Sequence, residues 1–225
     1  MDIKKELLRI INETYPDGLE WELVGIVTKN QKVYTLSYDS KILSGIFEIL
    51  CEPLIQKLCA EFDYQLVKGV QNQYPEFTIY KNPQRKIAID VKTTYRQWSK
   101  NGELKSYGFT LGSYRSYLRN PDKGIRFPYN EYEQHWIWGF IYTRNLNCKN
   151  ISIKPLIESY NLEAPYKDIE YFIQEKWKIA GRTPGSGNTT NIGSIKSNNI
   201  NDFIEGKSPF TSQSDFEDYW KHYGK

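Results

Sequence analysis

Two carboxylates and a lysine flank a short turn in the first half of the chain. Glu76 lies in the run Tyr-Pro-Glu-Phe-Thr-Ile-Tyr (74–80), and Asp90 and Lys92 lie in the run Lys-Ile-Ala-Ile-Asp-Val-Lys (86–92). Both runs have the composition of short strands, and the residues between them favour a turn. The pattern therefore predicts a hairpin that carries all three charged side chains.

The midpoint of this hairpin is Pro83, and Glu76 and Asp90 are equally distant from it along the chain. The two carboxylates would then face each other across the ladder, close enough to share a cation. Asp90 and Lys92 are two residues apart, so a strand presents them on the same side. Charged residues on hairpins are commonly solvated, but directly opposed like charges destabilise a sheet and are less common. The arrangement suits a hard divalent cation with open positions for water and phosphate.

The composition is that of a soluble globular protein with one main core. The chain has 225 residues, of which 39% are hydrophobic and 25% charged, enough for one domain with a small subdomain. It contains no apolar run of about 18 residues, and its charged start is typical of a helix rather than a signal peptide. We therefore expect an intracellular protein.

Cysteine and histidine are too scarce for several kinds of site. The three cysteines, Cys51, Cys59 and Cys148, do not have metal-ligand spacing and indicate no disulfide framework. The two histidines are His135 and His222, so a His-rich metal site is excluded and a catalytic triad would need one of them. His135 precedes an apolar run and is expected to pack or to form a hydrogen bond. Acid–base chemistry is left to carboxylates, lysine or metal-activated water.

A basic segment with interleaved aromatic residues follows the acidic pair. The formal net charge of the chain is only +3, but the segment 92–126 has eight basic residues against two acidic ones. Such a segment is typical of a surface that contacts a phosphate backbone. The alternative is an ordinary solvated face whose aromatic residues belong to the core.

The remaining hydrophobic pattern predicts a sheet flanked by helices, an α/β (α+β) arrangement. Its elements are a helix at 2–14, a hairpin at 23–36, a helix from about 40, a central strand at 136–142, a strand at 168–177, and a short helix that a capping box at 214–217 begins. Asp39 or Ser40 would cap the second helix, and Pro53 would kink or restart it. Glu48 lies on that helix, and it either faces solvent or points toward the acidic pair.

The stretch 181–194, Gly-Arg-Thr-Pro-Gly-Ser-Gly-Asn-Thr-Thr-Asn-Ile-Gly-Ser, is rich in turn formers and small hydrogen-bonding side chains. Its glycines allow the backbone to approach another surface closely. Asparagine pairs with adenine through two hydrogen bonds, and threonine offers a methyl group to thymine. The stretch is interpreted as a DNA-reading loop, with a flexible linker as the alternative.

Several of these segments together resemble the type II restriction endonucleases of the PD…(D/E)xK nuclease superfamily, through nearly the whole chain. The matching segments are 74–80, 86–95, 109–112, 135–137, 142–144 and 185–194. The superfamily motif alone is short and degenerate, whereas the long loop is specific. The resemblance implies a restriction-endonuclease-like fold, a central mixed β-sheet flanked by helices. It also implies a single domain over 1–225 with a small dimerisation subdomain that includes about 20–36 and 150–165.

The resemblance also implies roles for residues. The catalytic and metal-binding residues would be the first acid Glu76, the second acid Asp90, the catalytic lysine Lys92 and the helix acid Glu48, with Mg²⁺ as cofactor and Mn²⁺ as a substitute. The DNA-binding residues would be the major-groove recognition loop Gly185, Ser186, Gly187, Asn188, Thr189, Thr190 and Asn191, the minor-groove loop Gln71 and Asn72, the linking residues Ser40 and Lys41, and further Thr93, Thr94, Tyr95 and Arg144.

The activity that the resemblance implies is endonucleolytic cleavage of double-stranded DNA by a homodimer. The loop match points to the palindrome GATATC, cut bluntly at its centre to leave 5′-phosphate and 3′-hydroxyl ends. A restriction enzyme implies a bacterial cytoplasm and a methyltransferase that acts on the same site without forming a stable complex.

Two features depart from the family pattern. The first acid is usually aspartate, whereas here it is Glu76, whose extra methylene moves the carboxylate by ~1.5 Å. Mg²⁺ tolerates such a shift less well than Ca²⁺, so reduced activity or a preference for Mn²⁺ is a possible outcome. The chain also ends at Lys225, short of the family's basic C-terminal tail, which puts phosphate contacts from that region in doubt.

Two other classes of function compete with a nuclease. A sequence-specific DNA-binding protein without cleavage, a decayed nuclease, would keep the loop and the basic segment and would tolerate loss of Glu76. A two-carboxylate glycosidase would suit the paired acids and an aromatic content of 15%. Lys92 beside the acids and the basic segment argue against the glycosidase.

Overall fold

The computed structural model describes residues 1–187 and 190–224. The helices and strands of its first half are α1 (Ile3–Thr14), β1 (Gly25–Val27), β2 (Lys32–Thr35), α2 (Ser40–Phe62), β3 (Gln65–Lys68), β4 (Phe77–Asn82) and β5 (Arg85–Tyr95). Those of the second half are β6 (Thr110–Ser113), α3 (Tyr114–Tyr117), β7 (Tyr132–Arg144), β8 (Ile153–Pro155), β9 (Tyr166–Glu175), α4 (Lys176–Ile179), β10 (Ala180–Pro184), β11 (Asn191–Ser194), α5 (Asn201–Glu205) and α6 (Gln213–His222).

The centre of the fold is a five-stranded mixed sheet in the order β3-β4-β5-β7-β9. All neighbours are antiparallel except β5 and β7, which run parallel. The apolar run 136–142 lies within β7, between β5 and β9, so the predicted central strand is confirmed. The strand predicted at 168–177 is β9, which begins and ends two residues earlier.

One face of this sheet is covered by α1 and α2. Asp2 caps α1 by accepting a hydrogen bond from the Lys5 amide, and Asp39 caps α2 by accepting one from the Lys41 amide. Phe47 of α2 is fully buried, and its ring stacks 4.6 Å from that of Phe140 on β7. The predicted helix starts are therefore confirmed, whereas α2 runs through Pro53 as one helix and does not restart there.

The other face packs against the C-terminal elements. The second core contains aromatic residues from α3, α5 and α6, namely Tyr114, Tyr117, Phe203, Phe216 and Trp220. The prediction for α6 was displaced by two residues, because its cap is Ser212, whose hydroxyl accepts a hydrogen bond from the Asp215 amide.

A separate three-stranded antiparallel sheet has the order β1-β2-β8. Val27 pairs with Val33, which confirms the hairpin predicted at 23–36. The sheet and the adjoining turn expose large apolar side chains, Ile26, Val27, Tyr34, Ile153, Ile157 and Tyr160. This sheet with its turn lies within the ranges 20–36 and 150–165.

The stretch 181–194 was predicted as a loop, but both of its ends are strands. Ala180 on β10 pairs with Ser194 on β11, and β11 also pairs with β6. The turn-rich composition gives no sign of these strands, because they form through pairing of β10 with β11 and of β11 with β6. In the described part of the chain, no helix is both long and apolar enough to cross a membrane.

The aromatic residues of the basic segment belong to the core. Tyr107, Phe109, Tyr114 and Tyr117 are all buried in the second core. The prediction that they interleave with basic residues on one phosphate-binding surface is therefore wrong, and the core alternative holds for these four residues.

Candidate active site

Glu76 and Asp90 meet at the open end of the β4–β5 hairpin. Phe77 pairs with Ile89, so Glu76, the residue before β4, comes opposite Asp90. The register is the one that the position of Pro83 predicts, although it shifts by one residue near the turn, where Asn82 pairs with Arg85. The hairpin thus brings the two carboxylates to one place on the sheet.

Lys92 joins the two carboxylates. Its Nζ lies 2.8 Å from Asp90 Oδ2 and 3.0 Å from Glu76 Oε1, and it also donates a hydrogen bond to the carbonyl oxygen of Val91 at 3.0 Å. Glu76 Oε2 accepts a hydrogen bond from the Val91 amide at 3.2 Å. The ammonium therefore lies among three oxygens, the position that a cation would take.

The donor set fits a hard divalent cation. Asp90 is only 2% exposed, and its Oδ2 accepts no hydrogen bond from the described residues despite the nearby ammonium. This buried oxygen is paired with the Lys92 ammonium at 2.8 Å and lies close to a second carboxylate, a set of groups compatible with a hard divalent cation. Across residues 1–187 and 190–224, no group of three or more histidine, cysteine, aspartate or glutamate side chains is placed to hold a metal. The hairpin thus supplies two acidic side chains, Glu76 and Asp90, at this place.

Glu48 approaches the pair from α2. It lines a cavity of about 350 Å³ together with Glu76, Gln71 and Asn72. Burial raises the pKa of Glu48, while the Lys92 ammonium lowers that pKa and the Asp90 carboxylate raises it. Glu48 thus lines the same cavity as Glu76 and is affected electrostatically by Asp90 and Lys92.

A second cavity, of about 310 Å³, connects the acidic pair with the predicted DNA-reading loop. Glu76 lines this cavity as well as the first one. Its wall also includes the predicted catalytic Lys92 and the predicted DNA-binding residues Ser40, Thr93, Thr94, Tyr95 and Ser186. Residues that are distant in sequence thus share one concave surface.

The loop between β10 and β11 is held by its own polar groups. The Gly185 amide donates to the Asn191 carbonyl oxygen at 2.8 Å, and Asn191 Nδ2 donates to the Ser186 carbonyl oxygen at 2.9 Å. Gly187 has a φ of 85°, in the left-handed region that favours glycine. Asn188 and Thr189 lie outside the described residues. Thr190 is buried and accepts a hydrogen bond from Ser113, so its hydroxyl supports the loop from inside.

Two predicted DNA-binding residues lie at the margin of the site. The Arg144 guanidinium stacks 3.5 Å from the centroid of the Tyr95 ring, which fixes it beside the second cavity. Lys41 is exposed on the first turn of α2, next to Ser40. Arg144 contacts Tyr95 and Lys41 adjoins Ser40, and both Tyr95 and Ser40 line the second cavity.

Sequence reasoning missed a buried group behind the acidic pair. Lys176 is 2% exposed and lies on the core side of the sheet with Tyr74, Tyr117 and His135. His135 forms a hydrogen bond with the Tyr74 hydroxyl at 2.9 Å, as its predicted packing role requires. Lys176 lies within the strand predicted at 168–177, where a lysine gives no local signal of burial, so only the fold reveals it.

A mixed sheet with helices on both faces and an acidic pair with a lysine on its hairpin define a protein of the restriction-endonuclease-like class. The family model described as "Restriction endonuclease EcoRV" matches residues 17–225. The chain is 43% identical over 219 residues to the type II restriction enzyme EcoRV of Escherichia coli, covering 95% of this chain and 87% of that protein. The chain therefore belongs to the EcoRV family of restriction endonucleases. It is a DNA-binding hydrolase of the type II restriction class.

Proposed function

We propose that this enzyme cuts double-stranded DNA bluntly at the centre of GATATC, as a homodimer that requires Mg²⁺ or, as a substitute, Mn²⁺. The products carry 5′-phosphate and 3′-hydroxyl ends. The observation that carries the proposal is the position of the Lys92 ammonium, within 3.0 Å of both Glu76 and Asp90, on a cavity shared with Ser186 of the loop.

In this proposal Glu76 and Asp90 hold the divalent cation, and Glu48 is the further acid on the adjoining wall. A divalent cation at this position lowers the pKa of a water molecule and offsets the negative charge of the phosphate. Lys92 reaches the same space, so its ammonium orients the attacking water and stabilises the charge that develops on the phosphate oxygens. The burial of Asp90 keeps its carboxylate in one orientation toward the phosphate.

Base recognition is assigned to the loop and to the groove-lining residues. Gly185, Ser186, Gly187, Asn188, Thr189 and Asn191 would read the major groove, with Thr190 supporting them from inside. Gln71 and Asn72 would touch the minor groove from the first cavity. The residues that would position the DNA and link recognition to the acidic pair are Ser40, Lys41, Thr93, Thr94, Tyr95 and Arg144. The central TA step of GATATC is easily kinked, so part of the specificity comes from the energy of deforming it.

Dimerisation is assigned to the small subdomain, about 20–36 and 150–165. A palindrome has two-fold symmetry, and one chain has one acidic pair, so cutting both strands requires two chains related by the same symmetry. The exposed apolar side chains of the subdomain include Ile157 and Tyr160, each 80% exposed. A contiguous apolar surface of this kind is typical of a protein interface.

The cellular setting follows from the class of enzyme. A nuclease of this kind works in the bacterial cytoplasm, where a methyltransferase modifies the same DNA site and protects the host. The two enzymes share a DNA sequence and need no stable complex with each other.

Digestion of a plasmid that contains one GATATC site, followed by sequencing of the fragment ends, tests the proposal. The expected result is a single blunt cut between the central T and A in Mg²⁺. A matched plasmid with GTTAAC in place of GATATC keeps the palindrome and the TA step and should stay uncut. Ends at unrelated sequences would refute the specificity. Binding of GATATC without cleavage in Mg²⁺ and in Mn²⁺ would instead identify a nuclease that has lost its activity.

A further inference from the structure

Lys176 is a buried ammonium group with no role in the chemistry described so far. It is the first residue after β9 and is 2% exposed. Burial lowers the pKa of Lys176 to about 7, the Asp90 carboxylate raises that pKa, and the Lys92 ammonium lowers it. A lysine is rarely buried without a carboxylate in contact, so its surroundings need an explanation.

Aromatic rings and a phenol oxygen hold the ammonium in place. Lys176 Nζ donates a hydrogen bond to the Tyr117 hydroxyl at 2.8 Å and lies 4.0 Å from the centroid of the Tyr74 ring. The Tyr117 hydroxyl in turn donates to the Leu111 carbonyl oxygen at 3.2 Å, and the Tyr74 hydroxyl is bonded to His135. Since each ring is itself fixed, the ammonium of Lys176 cannot move into solvent.

The sheet register places this ammonium behind the acidic pair. Asp90 pairs with Ile137 on β7, and Ile137 pairs with Gln174 on β9. Lys176 follows β9 as the first residue of α4, and its ammonium contacts Tyr74 and Tyr117. These two rings belong to the same core as Ile137, the residue that pairs with Asp90. Lys176 therefore lies on the interior side of Asp90.

We propose that Lys176 is a positioning residue for the acidic pair, a fixed buried positive charge behind Asp90 that opposes the binding of a divalent cation there. The inference rests on the cation site of the proposed function. Lys92 is partly exposed on a flexible side chain and can withdraw from an arriving cation, whereas Lys176 cannot. Repulsion between the Lys176 ammonium and the cation therefore raises the cation concentration at which the site is occupied.

Substitution of Lys176 by methionine, which has a similar length and no charge, isolates this effect. The protein without DNA is titrated with Mn²⁺, and free Mn²⁺ is measured by electron paramagnetic resonance. We expect the K176M protein to bind Mn²⁺ about tenfold more tightly than the wild type at about pH 6, because one buried positive charge is removed. A structural defect would instead weaken Mn²⁺ binding.

The difference in Mn²⁺ affinity between wild type and K176M should diminish by about pH 8. At that pH Lys176 of the wild type has lost its proton, so the side chain is uncharged in both proteins. The charged and titratable groups that face Lys176 come from several elements, namely Asp90, Lys92, Glu217, His135, Tyr74 and Tyr117. These groups are present in both proteins, so the difference between the two isolates the charge of Lys176.

Lys178→Met is the matched control. It makes the same substitution two residues further along, on a partly exposed side chain paired with Glu175, and should leave Mn²⁺ affinity unchanged. Lys176→Gln, also neutral but able to donate to Tyr117, serves if K176M does not fold. Equal or weaker Mn²⁺ binding by the folded neutral variant would overturn this inference alone. No Mn²⁺ binding by the wild type, or equal binding by D90N, would overturn the cation site and this inference with it.

Discussion

Shortening the first acid by one methylene, Glu76→Asp, should lower the rate of DNA cleavage. The Glu76 carboxylate lies 3.0 Å from Lys92 Nζ and 3.2 Å from the Val91 amide nitrogen. Aspartate would withdraw the carboxylate by ~1.5 Å, and both contacts would then exceed hydrogen-bonding distance. A hydrogen bond to a charged group contributes about 1.5–3 kcal/mol, so we expect a fall of roughly 10- to 100-fold in the rate.

The initial rate of nicking and linearisation of a plasmid with one GATATC site, measured over a range of Mg²⁺ concentrations, gives this effect. Glu52→Asp is the matched control, because Glu52 lines the same cavity but forms an ion pair with Lys68 at 2.6 Å, away from the acidic pair. It should cut at nearly the wild-type rate. An equal or faster rate for Glu76→Asp would refute the reasoning, since it would mean that the hairpin is not adapted to the longer acid.

Four further predictions concern the site, the core and the interface. Asp90→Ala should abolish cleavage in a plasmid digest while DNA binding persists in a gel-shift assay with Ca²⁺, and full activity would reject the assignment of Asp90. Phe47→Ala should lower the free energy of unfolding in urea by about 3–5 kcal/mol, because a fully buried stacked ring is lost; a change near zero would contradict the packing. Tyr160→Asp should produce monomers in sedimentation velocity experiments, and an unchanged dimer would exclude this residue from the interface. Glu48→Gln should raise thermal stability at pH values above the raised pKa of Glu48, because the wild type there buries a charged carboxylate. The gain should vanish at acid pH, where Glu48 is protonated in both the folded and the unfolded wild type. A gain that does not depend on pH would contradict this.

The sequence predicted the central part of the site because local pairing determines it. The equal distances of Glu76 and Asp90 from Pro83 give the strand register, and the spacing of Asp90 and Lys92 gives their common side. Glu48 remained ambiguous, because its direction depends on how α2 packs on the sheet. The helix starts at Asp2 and Asp39 could also be predicted from the sequence, since a cap depends on neighbouring residues alone.

Features that depend on distant pairing were missed. Of the strands on either side of the loop tip, β11 pairs with β6, about 80 residues earlier in the chain, and β10 pairs with β11. The burial of Tyr107 and Phe109 depends on α5, which packs over them. The segment around them in the sequence is basic, so the local pattern predicts a charged surface instead. Lys176 carries no signal in its neighbourhood, because its burial depends on Tyr74 and Tyr117 from other parts of the chain.

The parallel pairing of β5 with β7 has a consequence for the chain as it is synthesised. Asp90 and Lys92 leave the ribosome on a strand whose inner neighbour, Tyr132–Arg144, is translated only later. Until then β5 has an unpaired edge, and the groups that enclose the acids, up to Ser186, do not yet exist as a surface. Polypeptides that end before Ser186 therefore lack this concave surface, and we expect them to be unable to cleave DNA.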